Sequence, residues 1–257
     1  NWIISNTGRG LGLAADSIII RHGDLNIVTI SIAYGFGFHG TDLDTTAASN
    51  RIVGNVVRSN NNNGIWINDD SADANVVAGN LLDGGVGTTY QDNGIVLTSG
   101  DGPLISNNSV RGHSSDGIAL VGSATSNRIV MNLARSNNVR GVFLNDVAAD
   151  LNNISGNTLD GRGYQDWGII IRDGDANVVS NNVVVYSFFD GIAIDFSAAS
   201  NRVLNNVVRS NDRAGILLND PAADANEVRG NILDGAANAW QQYGIWIQNS
   251  DASVLSN

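Results

Sequence analysis

A short phrase repeats along the whole sequence, and this periodicity limits the possible folds more than any other feature. The copy at residues 50–68 contains an Asn, a second Asn five residues later, a polar turn, and a Gly followed by alternating apolar residues. About ten copies of 23–30 residues fill the chain, and repeats of this length are typical of solenoids. The first Asn falls at Asn26, Asn50, Asn75, Asn127, Asn152, Asn177, Asn201 and Asn226, the second at Asn6, Asn55, Asn80, Asn108, Asn132, Asn157, Asn182, Asn206 and Asn231, and the marker Gly at Gly40, Gly64, Gly94, Gly117, Gly141, Gly168, Gly191, Gly215 and Gly244.

A longer period is superimposed on the short one. The tetrapeptide Ser-Asn-Arg-Ile/Val recurs at residues 49–52, 126–129 and 200–203, so three copies form a super-repeat of 74–77 residues. No Pro-rich linker or block of charge divides the chain, and residues 1–257 are therefore predicted to form a single β-helix domain.

Within each copy the apolar residues alternate, as at Ile65 and Ile67, and are bounded by Gly, Asn and Asp. Short alternating runs rich in Val and Ile predict β-strands. Copies that stack in register would align these strands in parallel sheets about 4.8 Å apart, and parallel crossovers are almost always right-handed. The sequence therefore predicts an all-β, right-handed parallel β-helix of about ten coils. A leucine-rich repeat is the weaker alternative, because its frame is dominated by Leu.

The two Asn rows predict asparagine ladders at the turns. An Asn amide can donate to and accept from the amides above and below it in a stack. Asn also tolerates the left-handed backbone that sharp turns require. Both properties favour a structural role for these residues over a binding role.

Composition excludes some function classes. The net charge of -11 argues against a nucleic-acid partner, since phosphates require a basic surface. No apolar run is long enough to span a bilayer. Cysteine is absent, which leaves the compartment open because a solenoid without disulfides can be cytosolic or secreted.

The paired Asn rows, the marker Gly and the Ile/Val frame resemble the right-handed parallel β-helix repeat proteins of the pectate-lyase-like superfamily. The resemblance covers the entire chain. That superfamily includes secreted polysaccharide lyases, mannuronan epimerases, periplasmic copper-site accessory proteins and long bacterial surface proteins. The resemblance implies the fold and a secreted or cell-surface location of bacterial type, but one fold hosts many functions.

The repeat breaks most clearly at residues 34–44, which combine a Tyr, a His and two carboxylates. Such a group could move a proton at a sugar carbon next to a carboxylate, with an Arg neutralising the acid. The alternative is a first super-repeat that has drifted and carries a partly solvated His and two turn Asp. The candidate catalytic residues are Arg21, Tyr34, His39, Asp42 and Asp44.

This segment also resembles the Tyr-Gly-Phe-Asp-Pro-His motif of mannuronan epimerases. Tyr34, Gly35, Phe36 and His39 match the motif, whereas Gly37 and Phe38 replace its Asp and Pro. The match implies an epimerase or lyase type of activity on uronate polymers, and the missing Asp removes one functional residue of that family.

Three loops of the pattern Asn-Asp-x-x-Ala-Asp-x-Asn could bind Ca²⁺, because this ion prefers oxygen ligands. Each loop offers only two carboxylates, and Asx-type turns are the alternative explanation. No cofactor is required by either interpretation. The candidate metal ligands are Asp69, Asp73, Asp146, Asp150, Asp220 and Asp224.

Two columns of side chains on the third strand carry further predictions. The first column consists of the residues four positions after the marker position. In adjacent coils it places Arg21 next to Asp44 and Arg172 next to Asp195, which predicts a ladder of ion pairs. The second column, here named the outer column, consists of the residues two positions after the marker position. Their side chains point away from the core, yet most of them are apolar. The recurring aromatic insertions could cover this column, or it could be a contact surface for a protein or a glycan. The candidate contact residues are Trp66, Phe143, Leu217, Trp246, Tyr164, Trp167 and Trp240.

Neither end of the sequence shows the atypical repeat that caps a solenoid, so we expect a segment of a longer chain or a filament subunit. The leading functional hypothesis is a structural or interaction β-helix of an extracellular or cell-surface fibre or adhesin. Its partners would be copies of itself or extracellular polysaccharide. The alternatives are a carbohydrate-active enzyme of the epimerase or lyase type, and a non-catalytic glycan-binding module that uses Trp66 and Trp246.

Overall fold

The chain forms a parallel β-solenoid with three sheets and buried asparagine ladders, as the repeat predicts. The computed structural model describes residues 1–9, 16–21, 23–44, 47–68, 73–85, 91–162, 164–219, 225–235, 241–248, 250 and 253–256. Within these residues every element is a β-strand. The described part contains no helix that is long and apolar enough to cross a membrane.

Sheet A has eleven parallel strands and follows the first Asn row. Its strands are β1 (Trp2–Ile4), β4 (Ile27–Thr29), β7 (Arg51–Val53), β10 (Val76–Ala78), β13 (Leu104–Ser106), β16 (Arg128–Val130), β19 (Asn153–Ser155), β22 (Val178–Ser180), β25 (Arg202–Leu204), β28 (Glu227–Arg229) and β31 (Val254–Ser256).

Sheet B has ten parallel strands and follows the second Asn row. Its strands are β2 (Thr7–Arg9), β5 (Ile32–Tyr34), β8 (Val56–Arg58), β11 (Leu81–Asp83), β14 (Ser109–Arg111), β17 (Leu133–Arg135), β20 (Thr158–Asp160), β23 (Val183–Val185), β26 (Val207–Arg209) and β29 (Ile232–Asp234).

Sheet C has ten parallel strands and contains or follows the marker Gly. Its strands are β3 (Ile18–Arg21), β6 (Thr41–Asp44), β9 (Ile65–Asn68), β12 (Ile95–Leu97), β15 (Asp116–Val121), β18 (Arg140–Asn145), β21 (Trp167–Arg172), β24 (Ile192–Asp195), β27 (Ala214–Asn219) and β30 (Tyr243–Gln248).

The core is a stack of aliphatic side chains in register. In the coil that begins at Asn50, Ile52 of sheet A, Val57 of sheet B, and Ile65 and Ile67 of sheet C are fully buried. The register places Ile52 beside Val77 in the next coil. Each coil thus covers the apolar layer of its neighbour, which is the interaction that stabilises a solenoid.

The second Asn row forms an unbroken amide ladder from Asn55 to Asn231. Asn157 Nδ2 donates to Asn182 Oδ1 at 2.9 Å and to the Ile129 carbonyl at 2.8 Å. Its Oδ1 accepts the backbone N–H and the side-chain Nδ2 of Asn132. Every polar atom of this side chain is therefore satisfied in the core, as buried amides require.

The first Asn row is less complete. Asn152 Oδ1 accepts the Asn127 backbone N–H at 2.8 Å, but Asn152 Nδ2 is buried without a hydrogen-bond partner. Asn127 lacks partners for both of its side-chain polar atoms. Pro103 explains the unpartnered Asn127 Oδ1, because it occupies the preceding rung and has no backbone N–H to donate. The Nδ2 atoms of Asn50 and Asn177 are also unpartnered, so the unpaired Nδ2 is a feature of the row itself.

The left-handed turns do not lie on the ladder Asn residues themselves, contrary to the expected use of Asn at these turns. The residue before each rung adopts the positive φ angle, for example 58° at Leu151 before Asn152 and 55° at Met131 before Asn132. This offset has a physical reason. The ladder Asn must aim its side chain into the stack, so the preceding, exposed residue makes the sharp turn.

The marker Gly row is explained by close packing between coils. A Cβ atom built on Gly141 would lie 2.7 Å from the carbonyl oxygen of Gly168 in the next coil. The same approach recurs at Gly117, where a Cβ atom would lie 2.7 Å from the Gly141 carbonyl oxygen. Only glycine lets the backbones approach this closely at the start of sheet C.

A third buried polar column at the turn between sheets B and C was missed in the sequence. His113 lies in it as a neutral rung, because its Nδ1–H donates to Asn137 Oδ1 at 2.8 Å and its Nε2 accepts from Gln91 Nε2 at 3.1 Å. Burial lowers the pKa of His113 to about 4. The sequence signal was a polar residue three or four positions before the marker Gly. The column contains Asn60, Gln91, His113, Asn137, Gln165, Ser187 and Asn211.

Candidate functional site

A cluster of acidic, imidazole and indole side chains lies on the outer face of sheet C near its first strands. His39 precedes β6, and its ring lies 4.5 Å from the Trp66 ring of the next coil. Asp42 on β6 is the register neighbour of Trp66 on β9. His39 and Asp42 are each 4% exposed, so both titratable groups are largely removed from water.

The hydrogen bonds fix the tautomer of His39. Its Nδ1 accepts the backbone N–H of Asn63 at 3.2 Å, which leaves the proton of the neutral ring on Nε2. Its own backbone N–H donates to Asp16 Oδ1 at 2.7 Å. Burial lowers the pKa of His39, and the nearby Asp16 carboxylate opposes that change. His39 is therefore a neutral donor through Nε2.

The pKa of Asp42 is shifted upward, in the opposite direction to that of His39. The pKa of Asp42 is raised from 3.8 to about 7, mainly by burial and also by the charges of Asp16 and Asp44, while Arg21 acts to lower it. Its Oδ1 is buried without a hydrogen-bond partner. A carboxyl group with a pKa near neutrality can both accept and return a proton at working pH. Asp16, which sequence inspection did not single out, belongs to this cluster.

The other predicted catalytic residues are only partly brought together. Arg21 Nε lies 3.5 Å from Asp44 Oδ2 in the adjacent coil and forms an ion pair with it. The Arg21 side chain is mostly exposed. Tyr34 ends β5 on sheet B rather than sheet C, is 42% exposed, and has Arg9 over its ring at 5.9 Å. Tyr34 is thus held by a different sheet from His39 and Asp42.

The outer column has the predicted register, but its middle is covered. Phe143 and Leu217 are 6% and 4% exposed. They pack in a cluster with Trp66, Trp167 and Trp246 at its partly buried edges. Phe143 and Leu217 therefore offer little surface to a partner while this packing holds, whereas the three Trp residues remain accessible in part.

Aromatic and Arg side chains form the cover of the outer column. The Trp167 ring lies 5.0 Å from the Phe189 ring. The guanidinium of Arg140 lies 3.7 Å from the centre of the Phe143 ring, a cation–π contact. Arg140 also pairs with Asp116 at 3.2 Å. The aromatic insertion at Trp167 thus covers the column, which is one of the two alternatives left open by the sequence.

The remaining contact residues have different settings. Trp246 stacks with Tyr243 at 4.9 Å. Tyr164 is 70% exposed and does not join the cover. Trp240 lies outside the described residues.

The predicted ladder of ion pairs forms at one position but not at the other. Arg172 and Asp195 are register neighbours, yet they make no ion pair. Arg172 instead lies over Phe196 at 4.7 Å and over Phe143 at 5.7 Å. Asp195 accepts a hydrogen bond from Asn219 Nδ2 at 2.9 Å. The prediction was wrong here because aromatic neighbours compete for the guanidinium.

The candidate Ca²⁺ ligands that are described act as hydrogen-bond acceptors for backbone N–H groups. Asp73 Oδ1 accepts from Asp101 at 2.8 Å, and Asp150 Oδ1 accepts from Asp175 at 2.7 Å, in each case one coil further on. Asp146 Oδ1 accepts the Ala148 N–H within its own turn. Across the described ranges, no group of three or more His, Cys, Asp or Glu could hold a metal ion. Asp69, Asp220 and Asp224 lie outside the described residues.

Comparison with known families gives one match over nearly the whole chain. A family profile described as periplasmic copper-binding protein (NosD) matches residues 5–164 and 146–257. A comparison with curated protein sequences found no match.

Solved structures share the fold at low sequence identity. The Dettilon tailspike protein (gp208) superposes with a TM-score of 0.76 at 15% identity, covering 98% of this chain and 54% of that one. The enzymatically active domain of tailspike protein 2 from bacteriophage CBA120 gives 0.72 at 12% identity, covering 98% and 43%. The A-module of the Azotobacter vinelandii mannuronan C-5 epimerase AlgE4 gives 0.58 at 12% identity, covering 100% and 85%. The chain spans about half the length of the tailspike chains.

The described donor set does not fit copper. Copper prefers imidazole, thiolate and thioether ligands, and the chain has no Cys, one Met and three His. His113 uses both ring nitrogens within the buried polar column, and His39 uses Nδ1 to accept a backbone N–H. Met131 is an exposed turn residue. His22 lies outside the described residues.

Proposed function

The chain belongs to the family described as periplasmic copper-binding protein (NosD), and from its fold and the His39 cluster we propose that it acts on an acidic polysaccharide outside the cytoplasm. His39 and Asp42 would carry out proton transfer on that polymer. The observation that carries the proposal is the buried Asp42 carboxyl, whose pKa is raised to about 7 and which shares Trp66 as a neighbour with the neutral His39.

The proposed chemistry removes a proton from the sugar carbon next to a carboxylate. The ionised Asp42 takes the proton, and the electron pair of the broken C–H bond moves onto the sugar carboxylate as an enolate. His39 Nε2–H donates a hydrogen bond to the oxygen that gains charge, which is electrostatic stabilisation in a site with little water. Delivery of a proton from water to the opposite face of that carbon gives an epimer, whereas departure of the neighbouring glycosidic oxygen, which takes the proton from Asp42, gives an unsaturated end.

The preference for an acidic polymer rests on the cations and aromatic rings along sheet C. Arg140, Arg172 and Arg213 lie on or beside the outer column, with their guanidinium groups over Phe143, Phe196 and Trp246. Arg140 and Arg213 are paired with Asp116 and Asp190. Arg172 lies over aromatic rings and forms no ion pair within the described residues, so it is the cation left for a sugar carboxylate. Guanidinium groups match carboxylates in geometry. The named epimerase among the similar structures acts on mannuronan, which supports the same substrate class.

The experiment is incubation of the purified chain with polymannuronate, with NMR of the sugar anomeric protons and ultraviolet absorbance of unsaturated ends as readouts. The wild-type chain is expected to form one of the two products, and His39→Gln and Asp42→Asn are each expected to lower the rate at least 100-fold. Asp195→Asn is the matched control, because Asp195 lies on the same sheet away from His39.

Absence of both products with polymannuronate, polyguluronate and polygalacturonate would reject the enzymatic proposal. Equal loss of rate in Asp195→Asn and Asp42→Asn would also reject the assigned roles, provided that the circular dichroism spectra of the variants match that of the wild-type chain.

Assembly into a fibre or adhesin remains a second hypothesis about the same fold. Lateral contact through Phe143 and Leu217 would require their Arg and Trp cover to move, so the exposed edges at Trp66 and Trp246 are its better candidates. Sedimentation velocity of Trp66→Ser and Trp246→Ser tests it. A self-association lost in these variants supports the hypothesis, and a monomer at all concentrations contradicts it.

A further inference from the structure

The turns between sheets B and C form a second cleft, away from the His39 cluster. Its volume is about 540 Å³, within the usual range for a small-molecule site. Three successive coils contribute, through the turns that follow β20, β23 and β26. The lining includes Asp160, Arg162, Tyr186, Phe188, Ser210 and Asp212.

Two buried polar atoms in this cleft lack partners. Asp160 is 8% exposed, and its Oδ1 is buried without a hydrogen bond. Ser187, which also lines the cleft, is 1% exposed and has an unpartnered Oγ. Buried polar groups without partners are rare in folded proteins, and these two make the floor of the cleft polar.

The charges of the cleft are balanced. Asp160 Oδ2 accepts a hydrogen bond from Arg162 Nε at 2.8 Å and lies 3.4 Å from Arg135 Nε. Asp212 supplies a second carboxyl, and burial raises its pKa. Two carboxyl groups and two guanidinium groups thus meet here, and an acidic sugar would gain no net attraction from them.

Aromatic rings stand at the edge of the same cleft. Tyr186 and Phe188 are 42% and 50% exposed, and Phe188 is held edge-on against Phe189 at 5.1 Å. Flat aromatic surfaces next to groups that hydrogen-bond hydroxyls are the two requirements of a sugar ring, which has an apolar face and a polar rim.

We propose that this cleft binds a neutral sugar unit of a glycan chain. Tyr186 and Phe188 lie against its apolar face, and Asp160, Arg162 and Asp212 hold its hydroxyl groups. The inference rests on the proposed function only for the ligand class, since the cleft begins five coils further along the solenoid than the turn that carries His39.

The repeat itself supplies variants that preserve the turn. Equivalent turns carry Ser at residues 59, 136 and 210, each with a positive φ angle like that of Tyr186, so Tyr186→Ser keeps the local backbone. Phe188→Asn copies Asn138, which occupies the equivalent position two coils earlier. Phe196→Ala is the matched control, because Phe196 is a similarly exposed aromatic residue outside the cleft.

Isothermal titration calorimetry with maltohexaose, cellohexaose, mannohexaose and a mannuronate hexamer tests the proposal. At least one neutral hexamer is expected to bind, with affinity at least tenfold lower in Tyr186→Ser and Phe188→Asn and unchanged in Phe196→Ala. Arg162→Gln provides a further expected loss.

Two results would overturn the proposal. One is failure of all three neutral hexamers to bind, and the other is binding that the cleft variants leave unchanged. Product formation from polymannuronate together with either result would retain the His39 site and reject the cleft alone. Binding of a neutral hexamer without product formation from polymannuronate would retain the cleft and reject the His39 site.

Discussion

At the scale of single residues, Asp42 makes the stability of the fold depend on pH. Its pKa in the fold is about 7, above the ordinary value of 3.8, so the folded chain holds a proton that the unfolded chain has lost between these values. By linkage, stability falls as the pH rises from about 4 to 7 and is constant above that range. We expect Asp42→Asn, which stays neutral, to be more stable than the wild-type chain at pH 8 by about 1–2 kcal/mol.

Thermal unfolding of both chains followed by circular dichroism measures this effect. The difference in Tm should be small at pH 4 and should grow up to pH 7. Asp116, whose pKa burial raises to about 6, is present in both chains and cancels from the comparison. A difference that is constant over the whole range would contradict the assigned pKa.

The two Asn rows differ in the number of bonds that each side chain makes, and this predicts unequal costs of substitution. Asn157→Ala removes a side chain whose Oδ1 accepts two hydrogen bonds and whose Nδ2 donates two. This substitution should lower the unfolding free energy by about 3 kcal/mol. Asn152→Ala removes one accepted N–H and should cost about 1–2 kcal/mol. Urea unfolding measures both values, and equal costs would show that the unpartnered Nδ2 of Asn152 is satisfied in solution.

Residue-level features were predictable from the sequence only where a row repeats. The ladder Asn and the stacked Ile52 and Ile67 follow directly from the period. The perturbation of Asp42 does not, because it depends on burial between Ile19 and Trp66 in neighbouring coils. Asp16 escaped notice because its role comes from the adjacent coil and from a position that elsewhere carries other residue types.

At the scale of elements, Pro103 is a defect in an otherwise repeated turn. It leaves Asn127 Oδ1 without a donor, although its own carbonyl still accepts the Arg128 N–H at 3.0 Å. Pro103→Asn would restore the N–H and add a rung. We expect a gain of about 1 kcal/mol in unfolding free energy, because the restored hydrogen bonds outweigh the greater freedom of the unfolded chain.

Pro103→Ala separates the two contributions to this gain. It restores the backbone N–H but not the side-chain amide, so urea unfolding should place its stability between those of the wild-type chain and Pro103→Asn. A loss of stability in both variants would mean that the rigidity of Pro103 matters more than the missing bond.

Element positions were predictable because every strand begins at a fixed distance from a landmark Asn or Gly. The cover of the outer column was only half predictable. The sequence indicated aromatic insertions, but the contact of Trp167 with Phe189 and of Arg140 with Phe143 depends on how turns of different length fold back. Tyr34 lies on sheet B because it is three residues after Ser31 of the second row. Arg172 keeps its register with Asp195 but contacts Phe143 and Phe196 instead.

At the scale of the whole molecule, each coil interacts mainly with its two neighbours, so a complete super-repeat should be removable. Deletion of residues 127–200 joins Ser126 directly to Asn201, and the tetrapeptide Ser-Asn-Arg-Ile becomes Ser-Asn-Arg-Val. Both Asn rows and the marker Gly stay aligned across the new junction. A solenoid stabilised by contacts between neighbours is expected to fold without the missing coils.

The deletion variant tests both the architecture and the separation of the two proposed sites. We expect a cooperative β-sheet protein whose denaturant m-value is lower by about 30%, in proportion to the surface that unfolding exposes. Because the deletion removes Asp160, Arg162, Tyr186 and Phe188, binding of neutral hexamers should disappear. The coils of His39 and Asp42 remain, so action on polymannuronate should persist, with a higher KM because Arg140 and Arg172 are also removed. Deletion of residues 127–205 is the matched control. It places a sheet B strand after Ser126, one third of a coil out of register, and should not fold. If both deletion variants were to fold equally well, the in-register stacking of Asn rungs would not be what specifies this solenoid.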